Sequence, residues 1–135
     1  MFNNEVNNKN DKLIKIAALL IHTAKIDENY SNQEEEIIKK ALLELGLRED
    51  NFSKTIQEAK VLEKDSNQIL DFTKEVKSLP EQDKIKIVET LWSIIYSNKD
   101  ADVYESNLMR RLAGLLYIDS KIMGNIKDRI KKENS

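Results

Sequence analysis

One layout occurs twice in this chain. "KIDENYSNQEEEIIKKALLELGL" and "YSNKDADVYESNLMRRLAGLLYI" each run through a loop of oxygen-bearing side chains into an amphipathic helix, and an apolar helix precedes each. Asp27 and Asn98 are 98 − 27 = 71 positions apart, and the same offset places Glu34 on Glu105, Ile37 on Leu108, Ile38 on Met109, Leu45 on Leu116 and Leu47 on Ile118. It also sets Lys39 and Lys40 on Arg110 and Arg111. Any two amphipathic helices can be slid into apparent register. The matched basic pair and the matched start signal argue against accident.

The rest of the chain reads as helix. With one proline and three glycines in 135 residues, it lacks the breakers that a many-turned β fold needs. Leu13, Ile16, Ala17, Leu20 and Ala24 mark a first core helix from about Lys12 to Ile26, and Ile14, Ala18 and Ile21 widen its stripe until it reads as largely buried. Ser31 with Glu34 is a capping-box pattern opening a second helix on Ile37, Ile38, Ala41, Leu42 and Leu45, with Gly46 placed to end it. A third helix is predicted from Asp50 to about Lys64, and a fourth from Ser66 to about Lys77 with Ile69, Leu70, Phe72, Thr73 and Val76 on its apolar face. Pro80 suits the first turn of a fifth, on Ile85, Val88, Leu91, Trp92 and Ile95. Asp102 with Glu105 repeats the cap before a sixth, and a seventh from Asp119 carries Ile122, Ile126 and Ile130. The expected architecture is all-α, a single compact bundle of six to seven helices with an internal helix-loop-helix pseudo-repeat. Residues 1–10 are Asn-rich and read as a loose polar tail, leaving one helical domain over 11–135.

Composition narrows function. A net charge of −2 gives no overall positive field to recruit nucleic acid or anionic lipid. Without cysteine there is no disulfide framework, thiolate nucleophile or Cys-type zinc site. The opening "MFNNEVNNKNDK" is polar where a signal peptide has its apolar core, and "IAALLI" is too short to span a bilayer, so a cytoplasmic protein without membrane insertion is expected. The chain shows no Gly-rich phosphate loop, nucleophile elbow or H-E-x-x-H helix, and nothing in it demands an enzyme. His22, the one histidine, lies in mid-helix with no partner that the sequence identifies, and Trp92 sits on an apolar stripe as a core anchor. The paired cations Lys39-Lys40 and Arg110-Arg111 suit an acidic partner or a phosphate, and equally a solvated helix face.

The acidic loops carry two readings. Hard cations such as Ca²⁺ or Mg²⁺ take oxygen ligands from alternating loop positions and a carboxylate on the following helix. Asn98, Asp100, Asp102 and Glu105 offer three carboxylates and an amide at such spacing; Asp27, Asn29, Ser31 and Glu34 offer two carboxylates, an amide and a hydroxyl. The second loop is the better candidate, although neither has the central glycine and late glutamate of an EF-hand. The other reading is capping: Ser31 and Asp102 accept amide hydrogens at helix starts, and Glu34 and Glu105 close the boxes.

The run "TLWSIIYSNKDADVYESNLMRRLAGLLYI" resembles the second half of the TerB-like family, the tellurite-resistance-associated helical proteins. Leu91, Trp92, Tyr96, Glu105, Leu108, Arg110, Arg111, Ala113, Leu115 and Leu116 stand where that family's pattern has them. The first half is similar through Ala17, Ala18, Leu19, Leu20, Ala24, Asp27 and Glu34. The resemblance implies a compact all-α bundle in a bacterial stress setting, with a divalent-metal or protein-interaction role centred on the acidic loops and no reaction of its own. It leaves the partner and the oligomeric state open. Two departures stand out: the family's D-G step is Asp27-Glu28 in the first loop and Asn98-Lys99 in the second. Side chains there adopt a positive-φ turn less readily than glycine does.

Overall fold

A computed structural model describes residues 2–27, 30–65, 69–97 and 103–134, with the side chains of 2–9, 27, 103 and 104 outside that description. Seven α-helices are present among these residues: α1 (Phe2–Ala24), α2 (Asn32–Glu44), α3 (Phe52–Asp65), α4 (Leu70–Lys77), α5 (Glu81–Ser97), α6 (Val103–Leu115) and α7 (Ser120–Glu133). Single 3₁₀ turns extend α1 over Lys25–Asp27 and lead into α3 over Glu49–Asn51.

The expected all-α bundle is therefore the observed fold, and α1 and α5 are its two inner helices. Ile16 to Ile21 are each no more than 2% exposed, as befits a helix apolar around its whole circumference. Around α1 pack α2, α3, α4 and α5; α5 packs in turn on α2 and α7. The pairing of α1 with α3 recurs as that of α5 with α7. Trp92 is 3% exposed, stacks on Tyr96 with ring centroids 5.9 Å apart, and donates its Nε1 hydrogen to Met123 Sδ at 3.4 Å. It is the core anchor its position on the stripe suggests.

The ends of α2 and α6 carry the repeat most closely. Leu47 N donates to Leu42 O at 2.9 Å and Gly46 N to Leu43 O at 3.1 Å, a Schellman end with Gly46 at φ 108°. One offset later, Ile118 N donates to Ala113 O at 2.9 Å and Tyr117 N to Gly114 O at 3.3 Å, with Tyr117 at φ 56°. A tyrosine thus occupies the left-handed position that glycine fills in the first half, and its ring is 70% exposed beneath the Lys77 ammonium, 4.4 Å from the centroid. Lys84, 9% exposed at the start of α5, donates to Leu116 O at 3.2 Å and places a cation at the carbonyl end of α6.

Several boundaries differ from expectation. The first helix begins at Phe2 rather than Lys12: once an anchored helix exists, adding polar turns requires no new nucleation. Residues 66–68, where the fourth helix was expected to begin, lie outside the described residues, and α4 starts at Leu70. Its inner face is Ile69, Phe72, Thr73 and Val76, which turns Leu70 outward at 44% exposed. On α7 the buried row is Met123, Ile126 and Ile130, so Ile122, one residue out of phase, is 37% exposed. Pro80 precedes the helix, where its carbonyl accepts from Asp83 N at 3.0 Å and Lys84 N at 3.1 Å.

Candidate functional site

At the start of α2 the capping box is closed. Ser31 is extended (φ −92°, ψ 163°), its hydroxyl oxygen accepts from Glu34 N at 3.1 Å, and its own amide donates to Glu34 Oε1 at 2.9 Å. The Ser31 hydroxyl also donates to that carboxylate oxygen at 3.0 Å. Glu34 is only 1% exposed; it is tolerated there because amide hydrogens and the positive end of the helix offset the loss of water. Glu105, its counterpart at the start of α6, is 7% exposed. A buried carboxylate at the third position of each helix is the shared property of the two sites.

Of the eight candidate ligands, Ser31 and Glu34 are therefore brought together, in a cap, and Glu105 is buried at the equivalent place. Asn29, Asn98, Asp100 and Asp102 lie outside the described residues, as does the side chain of Asp27. Among the described residues no three His, Cys, Asp or Glu side chains assemble into a metal cage. The donor chemistry that is described, a hydroxyl and a carboxylate, suits a hard cation, but at Ser31 and Glu34 it already serves the helix start.

Beside the first loop lies a polar cluster that the sequence does not announce. Glu63 on α3, 9% exposed, accepts from Lys25 Nζ at 2.7 Å and sits 3.3 Å from His22 Nδ1. Tyr30 donates its hydroxyl to Glu35 Oε1 at 3.1 Å, and Lys60 meets that same oxygen at 3.2 Å while lying over the Tyr30 ring. Burial, followed by the Glu35 carboxylate, holds the Tyr30 phenol well above its ordinary value. A cleft of about 500 Å³ opens here, lined by Ile21, Lys25, Tyr30, Lys60, Glu63 and Lys64. His22 and Lys25 are three residues apart on one helix face, a visible pairing, but their shared partner comes from another helix and leaves no local signal.

No helix among the described residues is long and apolar enough to cross a membrane. Comparison with curated proteins gives no match, and neither does comparison with solved structures. The family model described as tellurite resistance protein TerB matches residues 13–128, from the core of α1 into α7, and the chain belongs to that family.

Proposed function

We propose that this chain is a non-enzymatic TerB-like helical module of the bacterial cytoplasm. It acts through protein partners in a response to tellurite, metal or envelope stress, with a divalent cation ordering its acidic loops. The observation that carries the reading is the equivalence of the two loop-helix junctions, each with a buried glutamate at the third position of its helix. Keeping a carboxylate nearly out of water at both places is costly unless a cap, a cation or both hold it. Asp100, Asp102 and Asn98, with Glu105, make the second loop the stronger site, and Asp27, Asn29, Ser31 and Glu34 the weaker one.

A second reading has its own observation. The closed Ser31–Glu34 box accounts for two of those residues as helix caps, which favours a metal-independent interaction scaffold. Thermal unfolding of EDTA-treated protein, repeated with millimolar Ca²⁺, Mg²⁺ or Mn²⁺, separates the two. A cation present at a hundredfold its dissociation constant and bound only to the folded state adds about 2.7 kcal/mol, a shift of several degrees. The cation reading predicts such a shift and its loss in Asp100→Ala; the scaffold reading predicts an unmoved midpoint.

A further inference from the structure

We propose that the groove between α6 and α7 is a docking site for an acidic amphipathic helix of a protein partner; this rests on the reading of the chain as an interaction module and gives that interaction a surface. The groove encloses about 450 Å³. Its floor is Trp92, Met109 and Met123, all at most 6% exposed, an aromatic anchor between two adaptable thioethers. Its walls are low, because Ala113, Gly114 and Gly124 line it, and a Cβ added at either glycine would meet nothing within 4 Å.

The internal repeat supplies the control. At the matching place in the first half, Lys39 is satisfied within the chain: its ammonium lies 3.6 Å from Glu49 Oε1 and 5.3 Å from the centre of the Phe52 ring. One offset later these residues become Arg110, Ser120 and Met123, all lining the groove, while Leu43 becomes Gly114. The cation is kept, but the carboxylate, the aromatic ring and a leucine are gone.

The side chain of Arg110 on α6 accordingly has no ion pair or hydrogen bond among the described residues, and it is exposed. Across the groove on α7, Lys127 lies 5.5 Å from the centre of the Trp92 ring and likewise has no carboxylate partner there. An apolar floor between two such cations complements a helix with apolar residues at i, i+3, i+4 and i+7 and a carboxylate on each flank. Charge complementarity at the rim governs orientation and rate of encounter, and the anchors are the partner's own apolar side chains, which the low walls admit to the floor.

The test is selection from a displayed library of helical peptides of about 16 residues, long enough to hold helix, with leucine fixed on one face and the flanks varied among Glu, Gln and Lys. Binders are then titrated against the full chain by the emission of Trp92, its one tryptophan. The expected result is enrichment of glutamate on both flanks, binding weakened about tenfold or more by Arg110→Glu, and binding lost in Gly114→Leu/Gly124→Leu, which fills the groove. That double variant is expected not to lower the unfolding midpoint, since a Cβ meets nothing at either position and leucine is the better helix former. Neutral or lysine-rich binders overturn the proposal. Binders that survive the filled groove overturn it while leaving the interaction module standing, and the absence of any binder counts against both. A dimer that appears at high concentration and vanishes in the filled-groove variant also overturns it, by identifying a second copy as the occupant.

Discussion

Replacing Glu34 by alanine separates a carboxylate that caps a helix from one that holds an ion. The substitution removes the acceptor for the Ser31 amide at 2.9 Å and for the Ser31 hydroxyl at 3.0 Å, and withdraws a negative charge from the first turn of α2. A hydrogen bond to a charged group contributes about 1.5–3 kcal/mol, and a charge at a helix start about 0.3–1 kcal/mol. The Ser31 amide also loses a partner in a region where Glu34 itself is 1% exposed. The expected loss is about 2–4 kcal/mol, which for a chain of this length lowers the unfolding midpoint by roughly 7–14 °C. Glu34→Gln, which keeps an acceptor oxygen and loses the charge, should cost about 1 kcal/mol. Both are measured by circular dichroism melts in EDTA, where no ion contributes. A midpoint within about 2 °C of wild type for Glu34→Ala in EDTA, together with a normal fold, would refute the capping account.

Other consequences can be checked independently. Gly46→Ala places a side chain at φ 108° and should destabilise by about 1–2 kcal/mol in denaturant titration. Tyr117→Gly relieves strain at φ 56° but removes the ring beneath Lys77 and loosens the unfolded chain, so these opposing effects should leave the denaturation midpoint little changed, whereas Gly46→Ala lowers it. In ultraviolet titration, Tyr117 should ionise below the ordinary tyrosine value, because the Lys77 ammonium beside it holds its phenol low, and Tyr30 well above that value. Tyr117→Phe and Tyr30→Phe assign the two limbs. Since the folded Tyr30 value is raised, the stability it contributes is intact below pH 10, the ordinary tyrosine value, and falls as pH rises above it; Tyr30→Phe should flatten that alkaline loss.

Local signals were legible and relations between helices were not. The Ser31–Glu34 box, the Gly46 stop and the buried circumference of α1 follow from short-range rules, and each stands in the structure. Helix α1 starts before its apolar periodicity does, because an Asn-rich sequence is reluctant to begin a helix but can extend one anchored in the core. Leu70 and Ile122 read as core because each sits beside an apolar row, and only the rotation of α4 and α7 against their neighbours sets them outside. The offset of the repeat is visible in the sequence, but its consequence is not: only the structure shows that Lys39 meets Glu49 and Phe52 in one half while Arg110, Ser120, Met123 and Gly114 line a groove in the other. The Glu63 cluster needs α1 and α3 side by side, which no local pattern encodes.

Isothermal titration of Ca²⁺, Mg²⁺ and Mn²⁺ into EDTA-stripped protein tests the proposal that the second acidic loop holds a divalent cation. Saturable binding to the wild-type chain, abolished in Asp100→Ala and retained in Asp27→Ala, is the predicted result. Saturation-free heats for all three ions, with the chain folded by circular dichroism, would contradict the claim and leave the acidic residues as helix caps.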